Sequence, residues 1–423
     1  MTKNPADFDV DVLVAGAGAA GLSAAIALNR AGFTVACIGH VDRRANGRTV
    51  ALFESSLRFY KALGLWPRLR DDAAALEKIT MIDATNARFR APSVSFAARE
   101  IGLSAFGANI ETNVLVDRLA AIAAESSGLI LHEGLIEDIA FNPDAIEASL
   151  ADGRRIAARL AVAADGRNSL VRTKAGIGAR SWTYPQVALT VLLAHARAHR
   201  NISTEFHTRA GPCTLVPLRA RADKPHRSSL VWLMSASEAD RRRALAPDAL
   251  AGEVEEQVGH ILGAMELDGP CGFFPMGGMS VASLYGHRIA LIGEAAHLFP
   301  PLAAQGLNLS LRDSAALVET LEDARALGTD IGSTAALKPY GAARRGDISL
   351  RTNGIDILNR SLLIEFMPVD LMRGAGLFAF SMIGPLRRAL MREGVLPHGH
   401  LPRLMQAQGR HAPIAASGAA RAG

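Results

Sequence analysis

The sequence predicts an α/β fold with three parts: a Rossmann-like domain built on a parallel sheet, an inserted antiparallel sheet and a helical C-terminal region. The first observation is that the apolar run of residues 10–15 leads through a GxGxxG pattern into an Ala/Leu-rich helical stretch. The second is the series of alternating strand patterns over residues 186–237. The third is a buried-strand pattern at residues 288–292, which indicates that the chain returns to the first sheet after the insertion.

Each element follows from its local pattern. Residues 10–15 form a strand because they are continuously apolar, Gly32 ends the helix that follows, and residues 34–38 complete a βαβ unit. Further helices are expected at 51–75, broken at Gly64, at 112–125, at 307–324 and over most of 340–395. Further strands are expected at 78–98 and, as short strands around the turns Asn142-Pro143 and Asp152-Gly153, at 129–163. From residue 397 the chain is rich in Gly, Ala, Pro and Arg, so a frayed tail is expected.

The length of 423 residues suggests two to three domains at roughly 150 residues each. The element order predicts a discontinuous first domain of residues 1–75, 100–181 and 286–345, a sheet domain of 76–99 and 182–285, C-terminal helices at 346–396 and a flexible tail at 397–423. The apolar stretch 361–384 is interrupted by charged residues and a proline, so it is too broken to span a bilayer.

The composition narrows the class of protein. Hydrophobic residues make up 49% and charged residues 21% of the chain, which excludes wholesale disorder. The net charge is +5, but no dense basic block with interleaved aromatic residues occurs, so no nucleic-acid partner is expected. Cys37, Cys213 and Cys271 are far apart and form no CxxC pair. Neither a disulfide framework nor a metal site is expected, and the location is predicted to be cytoplasmic.

The GxGxxG pattern consists of Gly16, Gly18 and Gly21 and predicts a dinucleotide site. In such a site the first glycine makes the tight turn, the second lets backbone approach a pyrophosphate and the third lets the helix pack on the strand. An Ala/Gly-rich helix start arising by chance is the alternative. The acid that usually ends the second strand is replaced by Gly39, and Asp42 is the nearest substitute.

The basic residues Arg43 and Arg44 leave the nature of that dinucleotide open. They could receive the 2′-phosphate of NADP, or they could belong to a solvated basic loop. Two more motifs bear on the choice. The segment 164–172 (ADGRNSLVR) follows one strand, and the segment 293–308 (GEAAHLFPPLAAQGLN) follows another and enters a helix.

Together with GxGxxG, these segments resemble the three fingerprints of class A flavin monooxygenases, which have the para-hydroxybenzoate hydroxylase fold. The details are similar to the ubiquinone-biosynthesis (UbiH-type) hydroxylase branch. The run Gln305–Asp313 is the most specific piece, and the similarity extends from about residue 10 to residue 390. Further matching stretches lie at residues 48–52, 63–66, 110–113, 211–218 and 229–232, and at Tyr340, Arg345 and Asp347.

The resemblance implies an FAD-dependent aromatic hydroxylase with NAD(P)H or another electron donor as co-substrate. In such enzymes the reduced flavin captures O2 as a C4a-hydroperoxide, which transfers one oxygen atom to the ring. The implied substrate is a polyprenylated phenol or quinol of ubiquinone biosynthesis. A polyprenyl tail needs an apolar channel or peripheral membrane contact, for which 361–384 is a candidate, although packing of that segment as a helix is the alternative. A ubiquinone-biosynthesis complex is a further expected partner.

The resemblance also assigns site residues. The cofactor-binding set is Gly16, Gly18, Ala20, Gly21, Asp42, Arg48, Asn113, Asp165, Gly166, Glu294, Pro301, Gly306, Leu307 and Asn308. Apart from the resemblance, the strand-rich middle offers His207, Trp232 and Phe274 as candidate substrate residues. The alternatives are a rim position for His207 and a core position for Trp232 and Phe274. No side-chain acid or base is assigned, because the protein in this chemistry orients the ring, excludes water and stabilises flavin charge. His297 is expected to be structural.

Several positions depart from the family pattern. Gly39 stands in place of the acid, Glu294 is one methylene longer than the usual Asp, and Ala303 and Ala304 stand where many relatives have Gly. These departures predict weaker FAD retention. The alternatives are a hydroxylase of a soluble phenol, a non-oxygenating flavoprotein, and a flavin-free scaffold that retains the fold.

Overall fold

The computed structural model describes residues 7–85, 93–208, 211–300, 304–363, 384–397 and 401–407. The strands are β1 Phe8–Ala15, β2 Val35–Ile38, β3 Thr49–Phe53, β4 Ala74–Leu76, β5 Lys78–Asp83, β6 Val94–Ala97, β7 Gly107–Glu111, β8 Leu129–His132, β9 Ile136–Phe141, β10 Ile146–Leu150, β11 Arg155–Ala163, β12 Ala179–His195, β13 Ile202–Thr208, β14 Gly211–Leu218, β15 Arg227–Ser235, β16 Met265–Leu267, β17 Gly272–Val281, β18 Tyr285–Gly286, β19 Ile289–Leu291 and β20 His297–Leu298. The helices are α1 Ala19–Arg30, α2 Glu54–Ala62, α3 Thr112–Glu125, α4 Leu170–Lys174, α5 Ala236–Arg243, α6 Pro247–Gln257, α7 Gln305–Ala326, α8 Thr334–Leu363 and α9 Gly384–Val395.

The first sheet has a parallel centre in the order β19, β11, β1, β2, β8. Antiparallel strands β18, β10 and β9 extend it. Strand β2 is buried along its whole length, and β1 is buried from Val12 to Ala15. Such continuous burial is what a central parallel strand with helices on both faces requires. The predicted βαβ opening and the late strand at 288–292 are confirmed.

The second sheet has nine strands in the order β20, β17, β12, β15, β14, β13, β5, β6, with β16 beside β12. Apart from the parallel β13–β5 pair, its neighbours run antiparallel. One face packs under α5 and α6 through a core that includes Leu189, Trp232 and Val254. The other face points toward the first sheet. The predicted antiparallel sheet is therefore present.

A small third sheet, β3–β7–β4, corrects the prediction of helix from residue 51. Residues 51–53 belong to β3 because their backbone pairs with β7, where Ala51 lies opposite Asn109. The helix α2 begins only at Glu54, and Gly64 adopts φ +68 just beyond its end. The helices predicted at 112–125 and 307–324 are confirmed by α3 and α7.

The C-terminal part is helical where it is described, in α8 and α9, while residues 364–383 lie outside the described residues. Residues 401–407 differ from the expected frayed tail. Met405 is fully buried against α2 and α7, and Arg403 bonds the carboxylates of Glu322 and Asp323 at 3.2 and 2.9 Å. Among the residues that the structure describes, no helix combines the length and apolar composition needed to cross a bilayer.

Replacing Met405 with Ala tests this docking. Removal of a fully buried side chain leaves a cavity between α2 and α7. We expect the free energy of unfolding to fall by about 2–5 kcal/mol, measured from urea denaturation. The control is Leu327→Ala, at a side chain that is 81% exposed, which should change stability by less than about 0.5 kcal/mol. Equal stability of the two variants would show that the segment is not docked in solution.

Candidate active site

A cavity of about 560 Å³ lies between the helices of the first sheet and the second sheet. Its floor consists of the first turns of α1, α3 and α7 and of the segments that follow β2 and β11. Its roof is one face of the second sheet. The lining includes these predicted cofactor residues: Gly18, Ala20, Gly21, Asp42, Arg48, Asn113, Gly166, Glu294, Gly306 and Leu307. Gly16, Asp165 and Asn308 do not line it, and Pro301 lies outside the described residues.

The glycine loop after β1 is shaped by close backbone approach. A Cβ on Gly16 would overlap the carbonyl oxygen of Ala164, and a Cβ on Gly21 would overlap that of Gly16. Gly16 also has φ +111, a conformation that favours glycine. A Cβ on Gly18 would meet nothing within 4 Å, since Gly18 borders the cavity. The first and third glycines thus serve packing, and the second leaves space for a ligand.

The three helices whose first turns reach the cavity have no side-chain caps. Helices α1, α3 and α7 lack both a side-chain cap bond and an acidic residue in the first turn. At α3 the N-cap residue Glu111 instead accepts bonds from Arg221 and Arg227. The unpaired N–H groups and the positive ends of these helix dipoles are therefore left to the cavity, where they favour an anionic ligand.

The structure gives a packing reason for Gly39. A Cβ there would overlap the amide nitrogen of Ala17 and lie 2.9 Å from Cα of Gly16, so an acid at this position does not fit. Asp42 borders the cavity three residues later. Its carboxylate accepts bonds from the side chain and backbone N–H of Arg44 at 2.8 and 3.1 Å. The hydrogen bond from the Arg44 side chain lowers the pKa of Asp42, which keeps it anionic.

The two arginines of the basic loop are occupied by carboxylates. Arg44 holds Asp42, and Arg43 bonds Asp117 and Glu133 at 3.1 and 3.0 Å. This pairing favours the solvated-loop interpretation over a 2′-phosphate site. Arg48 lines the cavity, as Arg44 does, and its guanidinium lies 5.4 Å from the ring centre of Phe274. This contact holds a cation at the cavity wall, where it favours an anionic ligand.

The segment after β11 offers an unsatisfied acceptor. Oδ2 of Asp165 accepts the backbone N–H of Val171 at 3.3 Å, whereas Oδ1 is buried without a hydrogen-bond partner. Gly166 follows with φ +82 and borders the cavity. Buried carboxylate oxygens are normally paired, so this atom fits a site that receives a hydroxyl-bearing ligand.

The segment after β19 is held from behind by a buried ion-pair network. His297 lines the cavity, and its Nε2 lies 2.7 Å from Oδ2 of Asp313 on α7. Oδ1 of Asp313 accepts the Nε–H of Arg344 at 2.8 Å. His297 is thus fixed in place, as a structural role requires. Glu294 is exposed at the cavity edge and extends beyond this network.

The Asn308 side chain fixes the N-terminus of α7 in place and does not line the cavity. The Asn308 side chain accepts from the N–H of Phe53 and the hydroxyl of Ser56 and donates to the carbonyls of Ala51 and Ala304. These four bonds satisfy the amide fully, so its side chain positions the helix. Gly306 and Leu307 border the cavity at this helix end. Sequence reasoning had no signal for this clamp.

The predicted substrate residues do not line the cavity. Trp232 alternates to the other face of β15, where it packs under Arg242. Phe274 lies behind Arg48. His207 does not line the cavity itself, but its Nε2 lies 2.7 Å from the carboxylate of Glu205, which does. The missed lining residues Thr190, Glu205, Thr214, Val231 and Leu233 occupy alternate strand positions. Period-2 patterning could have grouped them, but it could not tell which face was covered.

The fold and the cavity define a flavin-dependent monooxygenase. Residues 9–346 match the FAD binding domain family, and the chain belongs to that family. It is 33% identical to ubiquinone hydroxylase UbiL of Rhodospirillum rubrum over 95% of this chain and 94% of that protein. It is 28% identical to the 3-demethoxyubiquinol 3-hydroxylase of Escherichia coli, covering 93% of this chain and 99% of the relative.

The similarity to solved structures shows the same fold. The p-nitrophenol 4-monooxygenase PnpA of Pseudomonas putida superimposes with a TM-score of 0.75 at 18% identity, over 91% of this chain and 98% of that one. PqsL of Pseudomonas aeruginosa gives a TM-score of 0.73 at 22% identity, covering 88% and 100%. The cofactor is FAD, and the residues present fit it: the uncapped helix ends suit its pyrophosphate, and the unpaired Asp165 oxygen suits a hydroxyl.

A pair of glycine substitutions separates packing from cofactor binding. Gly21→Ala forces a Cβ into the Gly16 carbonyl, so we expect it to lower stability by at least about 2 kcal/mol. Gly18→Ala should fold as the wild type does but bind FAD at least about tenfold more weakly, because its methyl group enters the cavity. Thermal unfolding and flavin fluorescence titration measure the two effects. Undiminished FAD affinity in Gly18→Ala would contradict the placement of the pyrophosphate.

Ala304 at the start of α7 has the left-handed angles φ 50 and ψ 35. This conformation strains an L-residue with a Cβ, and glycine adopts it freely. We expect Ala304→Gly to raise the free energy of unfolding by about 1 kcal/mol and to tighten FAD binding. Ala326→Gly, in the last turn of the same helix, is the control and should destabilise. A loss of stability in Ala304→Gly similar to that of the control would argue against the strain.

Proposed function

We propose that the protein hydroxylates the aromatic ring of a polyprenylated phenol or quinol in ubiquinone biosynthesis, using FAD and O2. The observation that carries this proposal is the convergence of three uncapped helix N-termini and a largely apolar sheet face on one cavity. The first feature suits an anionic dinucleotide and the second suits a ring. The names of the two relatives above supply the substrate class.

The cofactor contacts follow from the floor of the cavity. We assign the pyrophosphate to the first turn of α1 at Gly18, Ala20 and Gly21, with Arg48 as its cation. Other cofactor contacts are proposed for Asp42, Asn113, Asp165, Gly166 and Glu294, with Gly16 and Asn308 supporting them from behind. The backbone of Gly306 and Leu307 at the α7 N-terminus would stabilise negative charge on the flavin ring. Bound FAD supplies the activated oxygen.

The roof of the cavity would hold the ring and exclude water. Val231 and Leu233 present apolar side chains there, and Thr190 and Thr214 add hydroxyl groups. Leu76 extends the apolar lining toward the side where β4 lies. An apolar enclosure keeps solvent from the reacting centre, which prevents unproductive loss of the activated oxygen. NAD(P)H would deliver electrons by transient docking.

A polyprenyl substrate also requires contact with lipid, and we place a peripheral membrane contact at α9. Leu386 and Leu390 are 41% and 45% exposed and lie one helical turn apart. Arg388 and Arg392 lie on the same helix and are exposed. Exposed leucines flanked by arginines suit an anionic membrane surface. A soluble phenol as substrate would need no such contact and is the second candidate.

The test uses purified protein loaded with FAD and supplied with NADH or NADPH. The substrates are 2-geranylphenol and unsubstituted phenol, and mass spectrometry under isotopically heavy dioxygen detects ring hydroxylation. We expect one heavy oxygen atom in the prenylated product and much slower turnover of phenol. Gly18→Ala is the control and should lose product with FAD binding. Equal turnover of both phenols would favour the soluble substrate. Hydrogen peroxide without product would reject the hydroxylase function, and a protein that binds no FAD would support a scaffold.

A further inference from the structure

The roof of the cavity carries one carboxylate among the described residues, that of Glu205 on β13. It belongs to a cross-strand row in which Thr190 lies opposite Val231, Val231 opposite Thr214, and Thr214 opposite Glu205. The other three members of the row also line the cavity. Because directly opposite residues share a face, Glu205 points where they point. A carboxylate in a row of threonine and valine side chains calls for a polar partner.

The Glu205 carboxylate has one partner among the described residues, and that partner faces the same side. Nε2 of His207 lies 2.7 Å from Oε1 of Glu205. The two residues are two positions apart on β13, so they share a strand face. The His207 side chain is 11% exposed and that of Glu205 is 22% exposed, so the pair is largely shielded while Glu205 still reaches the cavity. The histidine fixes the carboxylate and leaves its second oxygen for a ligand.

We infer that Glu205 accepts the hydrogen bond and then the proton of the ring hydroxyl of the substrate, and that His207 is its positioning residue. This inference rests on the proposed function, in which the substrate is a phenol or quinol. The phenolic O–H bond breaks, the proton passes to the Glu205 carboxylate, and the electron pair remains on the phenolic oxygen. That oxygen then donates electron density into the ring, which makes its ortho and para carbons better nucleophiles. A base at this position contributes rate only if it lies within hydrogen-bond reach of the hydroxyl.

The carboxylate also sets specificity. A charge-assisted hydrogen bond from the hydroxyl is among the stronger hydrogen bonds in proteins. A substrate whose hydroxyl is methylated cannot donate it and leaves the carboxylate without that bond. Glu205 should therefore distinguish a free phenol from its methyl ether. A Glu205–His207 pair that only stabilises the strand would bind the phenol and the ether equally well.

The experiment measures binding of 2-prenylphenol and of its methyl ether, 2-prenylanisole, to the FAD-loaded enzyme through the change in the flavin absorption spectrum. We expect the wild type to bind the phenol about tenfold more tightly than the ether. In Glu205→Gln the preference should fall below about threefold, and in Glu205→Asp it should be partly restored. His207→Gln should give an intermediate preference because the carboxylate remains but is less well held. FAD affinity should stay unchanged in all three variants, which shows that they fold.

The matched control is Glu137→Gln, at an exposed carboxylate on β9 outside the cavity lining, which should keep the wild-type preference. Turnover provides a second readout: kcat for 2-prenylphenol should fall at least about tenfold in Glu205→Gln while the KM for the nicotinamide donor stays constant. A wild-type preference or rate in Glu205→Gln would overturn the inference. Failure of the proposed function would give a different result from failure of the Glu205 inference: the wild type itself would form no hydroxylated product, whatever its binding preference.

Discussion

The buried carboxylate of Asp313 holds together the elements on which the site depends. It has no solvent exposure and accepts bonds from Arg344 and from the backbone N–H of Gly293, at 2.8 and 3.3 Å, while Nε2 of His297 lies 2.7 Å away. It therefore ties the cavity segment after β19 to α7 and α8. Burial alone would raise the pKa of Asp313, but His297 and Arg344 lower it, so the carboxylate stays charged. Removal of one partner from such a pair leaves an uncompensated buried charge.

A second carboxylate extends this network to the α7 N-terminus. Asp347 bonds Arg344 at 2.8 Å and Arg351 at 2.7 Å, and Arg351 donates to Gln305 at the first position of α7 at 3.1 Å. Burial would raise the pKa of Asp347, but the surrounding guanidinium groups lower it to about 2. Both anions therefore persist at neutral pH. The N-terminus of α7, which borders the cavity, is therefore positioned by charged side chains on its far side.

The sequence predicted the elements that local patterns encode, but not the features that depend on tertiary packing. The βαβ unit, α3, α7 and the late parallel strand could be predicted, because glycine spacing and apolar runs encode them locally. The strand at residues 51–53 could not, since it exists only through pairing with β7. From the sequence, Gly39 is interpreted as the loss of the ribose-binding acid. Its close packing against Ala17, which leaves no space for a side chain, is visible only in the structure. The choice between core and cavity for Trp232 could not be made, because period-2 alternation defines two faces without saying which one a helix covers; the structure places it in the core.

The two sheets contribute opposite electrostatics to one cavity. The first sheet brings three helices whose N-terminal dipole ends point inward without side-chain caps. Absence of caps costs stability, and at these three cavity helices a bound anionic cofactor would satisfy the exposed N–H groups. Among the described lining residues, the second sheet brings one carboxylate, that of Glu205. The helix dipoles on the floor would favour the anionic cofactor, and the proposed base on the roof would act on a neutral ring without competing for the same partner.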